Sequence, residues 1–422
     1  MKTGSAAIAG NGNTRIAGEG GRIMMKPPGR QAVVTGLGVV TSIGSGEETF
    51  WRNLLEGSTG LKPVTVFDTS GHTNKLACQI DEIPLSLYNQ EEIRASGRAT
   101  RILVPAIEQA LRSAGLDQEA SADCRIGLCV GTTMGDIDPL ENALHGQRSR
   151  AFGGPHEITG QIQKMMRLQG PVWTFTNACA AGNFAIARAV DEIAAGRADI
   201  MIACGVDSLS WVAFTGFSTL RAMAPDKCRP FDAARKGLIL GEGAGVLVIE
   251  SLEHAILRKA RPRARLLGYG MSCDAHHITQ PDPAGRGAAR AMEAALRMAG
   301  LAPGAVDYVS LHGTGTMAND RMEARAQEAV FSEGSLPPAS SIKGHLGHTL
   351  GAASAIEAVM SVKCLETGIA PMTLNLEQMD PECSIPVIRG QSRPGKYRTI
   401  LSNSYAFGGV NSSILLAACT SD

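Results

Sequence analysis

Cys179 stands in "TFTNACAAGNFAIARAVDEIAAG" (residues 174–196), at the front of a long apolar helical run, with Ala180, Ala181 and Gly182 crowded behind it. A cysteine in such a place is core filler, a metal ligand, half of a disulfide, or a nucleophile. A helix start carries roughly half a positive charge, which favours a thiolate and lowers a thiol pKa from about 8.5 toward 7 or below. Main-chain N–H groups at the same place can hold a developing oxyanion. Against this stands the buried-filler reading, since free cysteines are among the most buried residues.

A nucleophilic thiol needs polar partners, and two further stretches offer them. "VDYVSLHGTGTMAND" places His312 just past the end of an apolar strand, where α/β folds carry their chemistry. "SSIKGHLGHTLGAASAIEA" supplies Lys343, His345 and His348 within six residues, with His348 where an Ala/Gly-rich helix begins. Other patterns are excluded by context. "GLILGEGAG" runs into a strand and not a helix, so it is no dinucleotide fingerprint. "HGTGT" lacks the Gly-Lys-Ser/Thr of a phosphate loop, and "HLGHT" has no carboxylate or third ligand beside it, so no metal site is expected.

The elements that must position these groups alternate. "QAVVTGLGVV", "RIGLCVGTT", "VWTFTN", "ADIMIACGVDS" and "GAGVLVIES" read as strands, and "GEETFWRNLLEG" and "ATRILVPAIEQALRSAGL" as helices between them. Near residue 264 the rhythm restarts with the strand "RARLLGYGMS" and the helix "GRGAARAMEAALRMAG". It continues through "VDYVSLHG", two helices, and the strands "TILSNSYAFGG" and "NSSILLAA". The chain of 422 residues is 44% hydrophobic but 4% aromatic, with 49 glycines, so its core is aliphatic and close-packed, as α/β layers are. Residues 1–30 are Gly-rich and are expected to form a disordered tail. Residues 31–263 and 264–422 are expected to be two similar halves, the first with the thiol and the second with the histidines.

Lys+Arg and Asp+Glu are both 40, so there is no overall basic bias of the kind nucleic acid binding uses. The ten cysteines show no C-x-x-C and need no disulfide role in a chain this large. They point to a reducing cytoplasm. No apolar run approaches the 18 or so residues of a membrane span.

Taken in order, "VVTGLGVVTSIG", "FWRNLLEGSTG", "ACAAG", "RPFDAARKGLILGEGAGVLVIE", "HGTGTMAND", "SIKGHLGHTLGAASAIEA" and "SNSYAFGGVNSS" resemble a known family over residues 31–418. The chain resembles the 3-oxoacyl-[acyl-carrier-protein] synthases, the stand-alone condensing ketosynthases of fatty-acid and polyketide assembly. The resemblance implies a thiolase fold, α/β, with two similar halves in five α-β-α-β-α layers. It implies decarboxylative Claisen condensation of a malonyl-carrier thioester with an acyl group held on a cysteine, or a non-decarboxylating acyl transfer on the same fold.

Carried over motif by motif, the resemblance makes Cys179 the acyl-accepting nucleophile and His312 and His348 the catalytic histidines. Lys343, five residues ahead of His348, belongs with it, and His345 is a bystander. Phe407 becomes the gate beside Cys179, completing an oxyanion hole with the Cys179 N–H. Thr314, Thr316 and Thr279 meet the pantetheine arm, and Met134 lies at the floor of the acyl tunnel. Asp320 and Glu323 organise the site around Lys343. The cofactor is none, the phosphopantetheine belonging to the acyl carrier protein, which is the expected partner. A dimer is implied as well, with a second copy or a chain-length-factor-like homologue, through the apolar edge "DIMIACGV". The departures are Ala180 and Ala181 where small hydroxyl residues are common, Gly344 after the lysine, Met317 for a usual proline, and Tyr-Ala ahead of "FGG". None removes a catalytic group, and they bear on substrate preference.

Overall fold

The computed structural model describes residues 30–88, 90–116, 124–144, 146, 153–331 and 336–419. The tail expected over residues 1–30 lies outside the described residues except for Arg30. The strands of the first half are β1 (Ala32–Thr41), β2 (Ile126–Gly131), β3 (Val172–Phe175), β4 (Ile200–Asp207) and β5 (Gly243–Ser251). Those of the second are β6 (Ala264–Cys273), β7 (Tyr308–Ser310), β8 (Ala339–Ser340), β9 (Thr399–Ala406) and β10 (Val410–Ala418). β1, β2, β4 and β5 are buried along their whole length. That is why they read as continuous apolar runs and do not alternate.

The two halves have one topology. The first runs β3-β2-β4-β5-β1 and the second β8-β7-β9-β10-β6. In each, the first three strands of that order are parallel and the last two pair antiparallel. The sheets meet where Val33 and Val34 of β1 pair with Arg265 and Ala264 of β6.

Helices fill the remaining three layers. α1 (Arg98–Ser113) packs Ile102, Leu103 and Ile107 on the outer face of the first sheet. α3 (Arg286–Ala299) and α4 (Met317–Val330) cover the outer face of the second. α2 (Ala181–Ala194) and α5 (Ala353–Thr367) lie between the sheets in one shared core. A helix with a sheet on either side must be apolar or small nearly all round, and 13 of the 15 residues of α5 are buried. Glycine makes this layer possible. A Cβ on Gly245 of β5 would sit 2.5 Å from the Ile356 nitrogen, and one on Gly131 of β2 would sit 2.3 Å from the Ala181 carbonyl carbon. The five layers and mixed sheet are the expected thiolase-type α/β fold.

One expectation is overturned. The "DIMIACGV" segment is not an edge: β4 is bonded to β2 on one side and to β5 on the other. Its apolar character comes from burial at the centre of the sheet. The strand at the margin of the first half is β3, bonded to β2 alone.

Candidate active site

The functional side chains stand past the carboxyl ends of parallel strands, where the main chain leaves the sheet. From β3 the chain enters α2 through a 3-10 turn, Ala178–Ala180, with Cys179 at its centre. Ala178 is held at φ 48, a left-handed conformation that costs a non-glycine residue about 1–2 kcal/mol. The sharp bend it makes places Cys179 ahead of the helix. Ser404, near the end of β9, donates its hydroxyl to the Cys179 carbonyl oxygen at 2.9 Å.

The second half repeats the device. Between β8 and α5 the chain passes a 3-10 turn, Leu350–Ala352, with Leu350 at φ 50. The preceding residues match as well: Asn177 has φ −85 and ψ 39, Thr349 φ −85 and ψ 25. Gly351 occupies the place that Cys179 holds in the first half.

The imidazoles of His312 and His348 meet edge to face, centroids 5.3 Å apart and planes at 82°. Lys343 is the donor that fixes His312. Its Nζ donates to the His312 carbonyl oxygen at 2.6 Å and to Glu357 Oε1 at 2.5 Å, and lies 3.4 Å from His312 Nδ1. The Leu350 N–H donates to His348 Nδ1 at 3.2 Å. With both Nδ1 atoms facing donors, the neutral rings carry their protons on Nε2. Neutrality follows from burial, which holds both imidazoles well below their ordinary range, with the Lys343 charge pushing the same way.

Glu323 accepts the N–H groups of His312 and Gly313, each at 2.8 Å, and so shapes the turn that carries His312. Burial raises its carboxyl to about 8. Asp320 accepts from the N–H groups of Phe231 and Gly315 and faces Arg235 at 3.3 Å. Glu323 and Asp320 thus order the main chain beside His312, while the carboxylate bonded to Lys343 is Glu357, one of a buried pair. Lys343 also contacts His312 and not His348, with which it was expected to belong. His345 is the expected bystander, its ring nitrogens facing the carbonyl oxygens of Ser58 at 2.9 Å and Met372 at 3.2 Å.

A lowered thiol pKa at Cys179 was expected from the helix start. Burial wins instead and pushes the thiol up to about 12, with Lys343 opposing and Asp207 adding to the rise. The residue is 7% exposed, and loss of solvent at that depth is the largest cause of the rise.

Cys179, His312 and His348 share a cavity of about 350 Å³. Thr314 and Thr316, hydroxyls 2.9 Å apart, line it, as does Thr279. Phe407 stands at its mouth, 40% exposed and stacked on Phe217 with centroids 5.7 Å apart. Arg221 and Lys236, both exposed, also line the mouth. Met134 is not among the described residues that line this cavity. Its side chain packs in the neighbouring apolar cluster with Phe214, Phe217 and Leu350. Glu357, Asp207, Phe217 and Ser404 were not singled out from sequence. Phe217 lies on the helix Trp211–Thr219, whose start is marked by Ser210 accepting the Ala213 N–H, a capping signal present in the sequence.

The chain matches the beta-ketoacyl synthase N-terminal domain over residues 30–255 and the beta-ketoacyl synthase C-terminal domain over residues 263–377. "Nodulation protein E" of Rhizobium meliloti (strain 1021) is 38% identical over 394 residues, covering 90% of this chain and 98% of the relative. "3-oxoacyl-[acyl-carrier-protein] synthase 2" of Coxiella burnetii is 37% identical over 408 residues, covering 92% and 98%. Among solved structures, the ishigamide ketosynthase/chain length factor superposes with a TM-score of 0.87 at 35% identity, covering 93% of this chain and 100% of that one. Both family domains follow one another along the chain, and full-length relatives exceed one-third identity. This protein therefore belongs to the beta-ketoacyl synthase family.

Proposed function

We propose that the protein is a condensing 3-oxoacyl-[acyl-carrier-protein] synthase, with Cys179 as acyl acceptor and His312 and His348 as paired hydrogen-bond donors. The observation that carries this reading is the pair of buried, neutral imidazoles with Nδ1 engaged and Nε2–H left for a substrate, in one cavity with the thiol. In the first step the Cys179 sulfur attacks an acyl thioester, an S–C bond forms, and the carrier thiol leaves with the proton. The main-chain N–H groups of Cys179 and Phe407 are the proposed donors to the transient oxyanion. In the second step a malonyl thioester loses CO2. The electron pair of the broken C–C bond moves onto the thioester oxygen, which the two Nε2–H groups stabilise. The enolate carbon then attacks the acyl-Cys179 carbonyl, a C–C bond forms, and the Cys179 sulfur leaves. Neutral donors suit this work because no imidazolium charge has to be desolvated in the cavity.

The pantetheine arm enters with the carrier, for which Thr314, Thr316 and Thr279 are the proposed contacts. Arg221 and Lys236 at the mouth fit an anionic carrier surface. The marginal strand β3, with Trp173 exposed on it, supports pairing with a second copy or a homologous subunit. Similar solved structures are described as ketosynthase and chain length factor together. Ten cysteines with no C-x-x-C spacing favour a reducing compartment such as the cytoplasm. No helix among the described residues is long and apolar enough to cross a membrane.

The test is incubation with acyl- and malonyl-carrier protein, following CO2 release and product mass. Cys179→Ala, which fits the small-residue turn, should stay folded and take no acyl adduct by intact mass spectrometry. A full adduct on that variant overturns the assignment. Acyl transfer to an alcohol or amine without CO2 release would replace condensation with the alternative activity.

A further inference from the structure

Asp207 is a fully buried carboxyl that the steps above do not use. It ends β4, and four donors converge on it. Oδ1 accepts from the Thr132 hydroxyl at 2.9 Å and the Met134 N–H at 2.8 Å, and Oδ2 accepts from the Thr133 N–H at 2.8 Å and the Gly351 N–H at 2.6 Å. The Gly351 contact is the one with chemical reach. Gly351 follows Leu350, whose N–H is the donor to His348 Nδ1. Leu350 is left-handed at φ 50, a conformation that persists only where the surroundings enforce it. The turn is also wedged from the other side, since a Cβ on Gly351 would lie 2.7 Å from the Thr132 main chain.

We infer that Asp207 is a positioning residue for condensation: it clamps the Leu350–Ala352 turn, and through the Leu350 N–H it keeps the His348 proton on Nε2. This rests on the role proposed above for His348. The carboxylate also lies where it disfavours the Cys179 thiolate. Its removal therefore acts unequally on the two half-reactions. The turn loosens and decarboxylation slows, while the thiol becomes no less reactive.

The experiment uses Asp207→Ala in the full chain, with acyl-carrier and malonyl-carrier protein as probes. Formation of acyl-Cys179 should stay within about threefold of wild type or rise. CO2 release from the acyl-enzyme should fall 10- to 100-fold, the range in which loss of an orienting partner acts. Nitrogen-15 NMR of His348 should change from an Nε2–H tautomer to a mixture. Equal loss of both half-reactions would make Asp207 merely structural, and unchanged CO2 release in a folded variant would show that it positions nothing; either refutes the inference. Should Asp207→Ala not fold, Gly351→Ala displaces the same turn and must show the same split. A wild-type His348 carrying its proton on Nδ1 refutes the inference with no variant at all. A wild-type protein that releases no CO2 refutes the proposed function instead, while the tautomer still decides the clamp.

Discussion

Glu357 and Lys343 form an ion pair with both side chains 2% exposed and 2.5 Å between Nζ and Oε1. At an effective dielectric constant near 20, the attraction is about 7 kcal/mol. Desolvation of the two ions costs several kcal/mol each and offsets most of it. The carboxyl itself reports that cost, since burial raises it to about 7 although Lys343 opposes the rise. The net worth of the intact pair is therefore small, and the cost of breaking it is not. Glu357→Leu leaves a buried ammonium facing only neutral acceptors, the His312 carbonyl oxygen and Nδ1, and should destabilise the protein by about 3–5 kcal/mol. Adding Lys343→Met removes the stranded charge and should restore most of that loss. Denaturant unfolding of wild type, both single variants and the double variant at one protein concentration gives the coupling directly. A loss under about 1 kcal/mol in Glu357→Leu, or a double variant no more stable than that single one, refutes the account. The stable double variant should still decarboxylate poorly, because His312 Nδ1 has lost its donor. Stability and catalysis thus separate within one set of variants.

His348→Ala should abolish CO2 release, while His345→Ala should keep it and lose stability instead, because both His345 ring nitrogens face main-chain carbonyls; the reverse pattern moves the catalytic assignment by three residues. The folded protein holds His312 and His348 below the ordinary 6.5, so the unfolded chain takes up their protons first as pH falls. Their contribution is present above pH 6.5 and is lost below it, by at most about 1.4 kcal/mol per pH unit per ring. The stability difference between wild type and His348→Gln should accordingly move toward the variant from pH 6.5 to 5, and a constant difference sinks the neutral-imidazole reading. Thr174→Pro removes a main-chain donor from the marginal strand β3 and should lower the population of the proposed dimer in light scattering. An unchanged dimer would place the interface elsewhere.

Cys179, His312, Lys343 and His348 are legible in the sequence because each lies in a short stretch whose residues depend on one another. The alternation of apolar runs with helical patterns likewise marks the layers. Contacts between distant residues leave no such trace. Glu357 sits in a helix buried on every side, so no polar face marks it as a partner of Lys343, 14 residues away. Apolarity misleads outright at β4, where burial at the centre of the sheet looks the same in sequence as an edge awaiting a partner. The helix Trp211–Thr219 escapes notice because its β-branched, aromatic and glycine residues are weak helix formers. The Cys179 thiol departs from its local signal because a helix end is readable from neighbouring residues, whereas the depth of burial belongs to the assembled halves.

The matched turns at Cys179 and Gly351 carry an evolutionary consequence. Two halves with one strand order, one left-handed residue and one 3-10 turn at the same place are what a duplicated ancestral unit leaves behind. After duplication the copies specialised, one keeping a thiol at the turn and the other a glycine that lets the backbone come close. They also became mutually dependent. Near the end of its fourth strand, each half reaches across to brace the other's turn, Ser404 onto Cys179 and Asp207 onto Gly351. A half taken from a relative brings its own turn but must meet a foreign brace. Recombination between family members should therefore tolerate exchanged surfaces far better than exchanged halves.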